Sequence, residues 1–240
     1  LQDSPKSLGL PSVASWKGEP QKTPITNSFK EVLKNQLKII KLPSIWILGL
    51  ASATMYVTRY AINSWGVLYL QEIRGYSLIE AGGIISLNTF TGILGCVAFG
   101  FISDKYFKAR RPPVTLMFGV LEIVSLVVIF FGPDSTIVLT IAFLVYGFTL
   151  SGLLAVLGGL FALDIAPKNI SGAAMGFIGL FSYIGAGIQE KISSLLIKTS
   201  TLEGGSDLVY NFDSAILFWV VASVISFLLS LTLWNKKIED

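Results

Sequence analysis

Arg59 is a cation in a place where cations are costly. It lies mid-way along an apolar run from 43 to 70, in Met55-Tyr56-Val57-Thr58-Arg59-Tyr60. An arginine at the centre of a membrane helix costs about 2.5–3.5 kcal/mol on insertion scales. Its guanidinium therefore needs a polar cavity, a carboxylate or an anionic ligand. Ser52, Tyr56, Arg59 and Asn63 follow helical spacing and share one face. Such a stripe suits a phosphate group, because the planar fork donates two parallel hydrogen bonds to it. An internal ion pair with Glu122 answers the same cost, and composition alone does not choose between the two.

Other polar groups interrupt apolar runs. Glu122 stands alone in a third run, and Gln189, Glu190 and Lys191 fall together in a fifth. Adjacent helical residues point about 100° apart, so Glu190 and Lys191 do not face one pore together. Gln189 and Lys191 are candidates for lining a pathway. The chain has no histidine and a single cysteine. That removes the commonest general base and metal ligand and leaves no nucleophile–base pair, so no catalytic residue, metal site or cofactor is expected. Cys96, inside the second run, is expected to pack as a small hydrophobe.

The elements that hold these residues follow from composition. Of 240 residues, 52% are hydrophobic and 14% charged; soluble domains carry about 25% charged residues. One water-soluble core of this size does not hide that much apolar surface, and the same figures exclude disorder. A net charge of +3 is too small for a nucleic-acid partner. Six apolar stretches, near 43–70, 79–102, 113–131, 136–163, 170–196 and 213–234, approach or exceed the roughly 20 residues needed to cross a bilayer. The fold class is thus an all-α membrane protein with six transmembrane helices. Trp46, Trp65, Tyr69 and Trp234 at span ends read as interfacial anchors.

Basic residues orient the spans. Lys30, Lys34, Lys38 and Lys41 precede the first; Lys105, Lys108, Arg110 and Arg111 separate the second from the third; Lys168 follows the fourth; and Lys236 and Lys237 follow the sixth. The other side has Arg74 and Lys198. This asymmetry predicts cytoplasmic chain ends. Residues 1–42 read as a cytoplasmic loop, with a Lys-rich amphipathic helix near 27–42 suited either to an anionic leaflet or to a solvated linker, and 235–240 as a tail. No secretory signal is visible, and the chain is expected to begin inside a larger one. Glycines 82, 83, 92, 95 and 100 of the second span, and 172, 176, 179, 185 and 187 of the fifth, read as helix-packing or sliding surfaces.

The turn Gly100-Phe101-Ile102-Ser103-Asp104-Lys105-Tyr106-Phe107-Lys108-Ala109-Arg110-Arg111 places an acid before a basic cluster. Asp104 is able to latch a neighbouring helix end or to pair with Arg110. This loop resembles the cytoplasmic signature of the major facilitator superfamily as it recurs in the second half. Within it, the chain resembles the organophosphate:phosphate antiporters. The matching stretches are Asp3 to Pro11, Arg59-Tyr60 with Trp65, Ser103 to Arg111, Tyr146-Gly147, Ala162-Leu163-Asp164 with Pro167-Lys168, and Gly179 to Gly185.

The resemblance implies the C-terminal six-helix half of a twelve-helix carrier, working with an N-terminal half in the bacterial inner membrane and exchanging an organophosphate for inorganic phosphate. Arg59 takes the place of a phosphate-binding arginine, and Tyr146 and Tyr183 match substrate-facing tyrosines. Three departures stand out: Thr89, beside Asn88, where a glutamate is frequent, which makes both pathway candidates; Ser64 where glycerol-3-phosphate carriers have an acid; and Phe148 in place of a proline, with Thr149 to Leu160 longer than expected. The first two remove negative charge, which weakens a glycerol-3-phosphate assignment and favours a hexose phosphate or another phosphorylated substrate. A membrane sugar-phosphate sensor of the same fold, and an exporter of an unrelated metabolite, are the alternatives.

Overall fold

The computed structural model describes residues 9–11, 37–167, 170–201 and 208–235. The chain divides into two compact units, Leu1–Gln36 and Leu37–Asp240. In the first, the described residues 9–11 include a turn with Gly9 at φ 75°. The amphipathic helix expected near 27–42 falls outside the described residues up to 36, and Leu37–Lys41 is a short 3-10 turn. The 235–240 tail lies outside them beyond 235.

Among the described residues, six helices are long and apolar enough to cross a membrane: α1 (Pro43–Glu72), α2 (Leu78–Phe107), α3 (Arg111–Phe131), α4 (Thr136–Ile165), α5 (Ser171–Leu196) and α6 (Asp213–Thr232). All six expected stretches are present. Local chemistry sets their ends. Pro43 opens α1 where a missing amide proton costs nothing. Ser77 caps α2 and Glu80 reaches back to the Ser77 amide, a reciprocal box. Lys108 and Ala109 take left-handed conformations (φ 51° and 62°) and fold the chain sharply out of α2. Pro112 lies in the first turn of α3, and Gly132-Pro133 follows its end.

The helices pack in the order α2–α4–α3–α6–α1–α5. Two crossings are backbone to backbone. A Cβ on Gly95 of α2 would collide with the Phe148 carbonyl of α4, and one on Gly185 of α5 with the Ala53 carbonyl of α1. These two glycines allow close approach. Around Gly172, Gly176, Gly179 and Gly187 there is open space, so most of the fifth-span glycines are not packing residues within this unit.

Two helices contain a widened, π-helical turn. In α1 it spans Ala61–Trp65, directly after Arg59. In α4 it spans Val156–Leu160. A π turn absorbs an additional residue without breaking the helix, as in α1; in α4 the segment also holds a kink, because Gly159 (φ 168°, ψ −38°) leaves the helical region within the stretch from Thr149 to Leu160 noted as long. A short antiparallel ladder, β1 (Lys198–Thr201) with β2 (Leu208–Asn211), joins α5 to α6, with Lys198 opposite Asn211. It adds strand to a chain read as wholly helical.

Two expectations about side chains are corrected. Cys96 is exposed on α2 rather than packed. Tyr69 is no interfacial anchor: it is buried at 1% exposure, among Phe130 and Phe212. Arg74 closes this end of the bundle. It donates to the Ile129 carbonyl (3.0 Å), the Phe130 carbonyl (3.3 Å) and the Tyr69 hydroxyl (3.3 Å), and pairs with Asp134. The cation thus caps the negative end of α3, whose last carbonyls have no partner within the helix. Burial disfavours the Arg74 charge, but the Tyr69 hydroxyl and Asp134 outweigh it, and the guanidinium pKa rises above its usual value. Arg74→Ala should lower unfolding stability by about 1.5 kcal/mol, read as a lower melting temperature in detergent.

Candidate functional site

Arg59 is positioned by the last α-helical turn of α1 before the π turn. Its guanidinium carbon lies 5.2 Å from the Tyr56 ring centre and 5.6 Å from that of Tyr60. Tyr56 in turn meets Tyr183 of α5 edge to face, at 5.9 Å. The result is a half-buried cation among three tyrosines on the side of the bundle shared by α1 and α5. Tyr183 is 66% exposed, and Asn63 is exposed in the π turn beyond Arg59. Among the described residues, the ion pairs are Arg74–Asp134 and Arg111–Asp164, and neither involves Arg59.

Among the described residues, Arg59 does not form the ion pair with Glu122. Glu122 is buried on α3 and turned elsewhere. One carboxylate oxygen accepts from the Thr58 hydroxyl (3.1 Å) and the other from the Ser223 hydroxyl (2.9 Å). Thr58 is the immediate neighbour of Arg59, and its carbonyl accepts from the Tyr146 hydroxyl (3.0 Å). Four helices, α1, α3, α4 and α6, thus converge on the turn that carries the arginine. Glu122→Ala would leave the Ser223 hydroxyl without its acceptor and open a void, costing about 2 kcal/mol; thermal unfolding in detergent measures this.

The sequence-predicted residues separate into groups. Tyr56, Arg59, Asn63 and Tyr183 come together or lie close along the α1–α5 side. Tyr146 does not join them: it is fully buried and spent on the Thr58 carbonyl. Ser52 leaves the polar stripe and bonds Ser182 of α5 at 2.7 Å. Gln189 is also buried, donating to Ser193, which accepts from Trp219 of α6 as well. Lys191 is exposed. On α2, Asn88 is buried against Gly147, whereas Thr89 is exposed and bonds its own helix at the Ile85 carbonyl.

Ser64 donates to Glu190 across the α1–α5 contact. A carboxylate therefore does stand beside position 64, supplied by α5. This weakens the inference drawn from Ser64 about lost negative charge, and leaves Thr89 as the departure that removes an acid. The π turn after Arg59 is the feature sequence reasoning missed; Ala61 to Trp65 carries no proline or other break that would reveal it.

In the basic turn, Asp104 is exposed and does not pair with Arg110. Arg111 makes the latch, to Asp164 at 2.8 Å and to the Leu160 carbonyl, tying α3 to the end of α4. Lys105 sits over Phe101, and Arg110 over Trp234. Gly100 faces open space.

The described residues thus form six long apolar helices, carry a cation at Arg59 outside both ion pairs, and latch a basic turn through Arg111. Residues 5–189 match the family described as Major Facilitator Superfamily. The chain belongs to that superfamily. It is 34% identical over 195 residues to "Membrane sensor protein UhpC" of Salmonella typhimurium, covering 79% of this chain and 43% of that protein. It is 29% identical over 215 residues to "Glycerol-3-phosphate transporter" of Bacillus subtilis, covering 85% and 47%. It is 32% identical over 200 residues to "Probable hexose phosphate transport protein" of Chlamydia muridarum, covering 78% and 44%. These relatives are of the kinds that make up the organophosphate:phosphate antiporter family resembled by the sequence. The chain spans under half the length of each.

Proposed function

We propose that this chain is the C-terminal half of a carrier that exchanges a phosphorylated organic substrate, a hexose phosphate by preference, for inorganic phosphate. Arg59 supports this reading most directly: a guanidinium within a membrane span, flanked by tyrosines, without an ion-pair partner among the described residues. An N-terminal six-helix half supplies the opposite wall. The two halves rock about a midplane site, as secondary transporters do. Uncompensated positive charge at the empty site hinders reorientation, and a bound phosphate group neutralises it, so movement is coupled to occupancy and exchange results. Both chain ends lie on the cytoplasmic side of a bacterial inner membrane, a placement supported by the bias of basic residues toward that side. The faces of α2 and α5, the least buried helices, are available to the other half.

The test is exchange of labelled phosphate in proteoliposomes holding the complete carrier. Uptake should need phosphate or an organophosphate on the far side. Uptake that continues without it would remove the exchange mechanism. A sensor is the second reading, favoured by the relative named as a membrane sensor. It predicts saturable sugar-phosphate binding with negligible flux in the same vesicles.

A further inference from the structure

We propose that a groove beside the basic turn is a binding site for an anionic phospholipid. The cavity holds about 650 Å³ and is lined by hydrocarbon: Phe107 at the end of α2, Trp234 just past α6, and Pro113, Met117, Val120 and Leu121 among the residues of α3. These α3 positions recur at helical spacing, so the trough runs along the helix for about 12 Å. Its outer end lies where α2 ends, α3 begins and α6 has just finished. That is the depth of the membrane–water interface, where tryptophan is enriched.

Arg110 stands at this end. Its guanidinium carbon is 5.8 Å from the centre of the Trp234 ring, which itself lines the groove. The neighbouring cations are engaged: Arg111 pairs with Asp164, and Lys105 lies over Phe101 and Tyr106. Arg110 is exposed and forms neither of the ion pairs seen among the described residues. Lys108, also exposed, adds charge to the same turn. The site thus offers a cation over one end of a channel lined by hydrocarbon. A molecule with an anionic head and an acyl chain satisfies both parts. A free phosphate or sugar phosphate satisfies the cation alone, because the lining offers it no polar partner. The groove is built from α2, α3 and the end of α6, whereas the arginine–tyrosine cluster belongs to α1 and α5, so the inference stands apart from the transport reading.

The experiment titrates the purified full chain in detergent with phosphatidylglycerol, with phosphatidylcholine and with inorganic phosphate, scoring retained lipid by native mass spectrometry. Phosphatidylglycerol should be retained about five-fold better than phosphatidylcholine, the preference expected of one interfacial basic residue. Arg110→Gln should erase the preference and leave phosphatidylcholine unchanged; Arg110→Lys should keep most of it. Val120→Trp, which fills the trough, should reduce retention of both lipids. Equal retention of the two lipids by the parent chain, a preference that survives Arg110→Gln, or displacement of phosphatidylglycerol by inorganic phosphate would each overturn the assignment. Arg110 is a surface residue, so an unchanged melting temperature for the Arg110 variants confirms that the fold is intact.

Discussion

Arg59→Lys should leave membrane insertion intact and reduce phosphate exchange about 100-fold. Lysine preserves the charge, so the electrostatic neutralisation that couples movement to occupancy is kept. What it lacks is the planar fork that grips two phosphate oxygens together. Charged hydrogen bonds are worth about 1.5–3 kcal/mol each, and loss of one well-formed contact near the upper end gives roughly two orders of magnitude. The surroundings favour a clean result. Arg59 meets Tyr56 and Tyr60 by ring contact and is outside both observed ion pairs, so the shorter cation strands no carboxylate. Exchange by the complete carrier in proteoliposomes is the measurement, with phosphate competition against bound organophosphate alongside it. Near-normal exchange by the lysine variant would refute the assigned role.

The second large effect is structural. Gly95→Leu should cost about 3 kcal/mol, the upper range for overpacking. The first added carbon would already meet the Phe148 carbonyl, and backbone cannot swing aside as a flexible side chain does. The α2–α4 contact must separate, and the Thr91–Leu144 carbonyl hydrogen bond in the same contact (3.0 Å) separates with it. Gly176→Ala is the control. Nothing lies within 4 Å of its added carbon, and alanine is the better helix former by about 1 kcal/mol. Within this unit the control should be neutral or stabilising. Melting temperatures of the two variants in one detergent separate close packing from mere glycine content. If Gly95→Leu melts with the parent, the backbone crossing is not what holds α2 to α4.

That contrast also marks where sequence reading stops. The span positions were legible because hydropathy and length are one-dimensional properties. Arg59 was legible because a lone cation in an apolar run demands an explanation. The direction each residue faces was not, because a helix in lipid is apolar both where it meets protein and where it meets acyl chains. The periodic contrast that orients a soluble helix is then absent. Hence Tyr146, which the resemblance matches to a substrate-facing tyrosine, and Gln189, a pathway candidate by type, are buried in contacts between helices. Gly185 packs while Gly176 and Gly179 on the same helix do not. The β1–β2 ladder escaped notice because four-residue strands leave almost no mark on a hydropathy profile. Its Thr-Ser-Thr and Leu-Val-Tyr stretches carry only a modest preference for extended structure.

The widened turn at Ala61–Trp65 has a mechanical meaning. It is slack stored in a rod: one residue more than an ordinary spiral would use over the same rise. Taking up that slack would rotate the Gly66–Glu72 segment about its axis while the part anchored through Thr58 and Glu122 stayed still. Arg59 sits on the fixed side of that swivel and Asn63 within it. The cation would then keep its aim while the last turns of the same helix rotate.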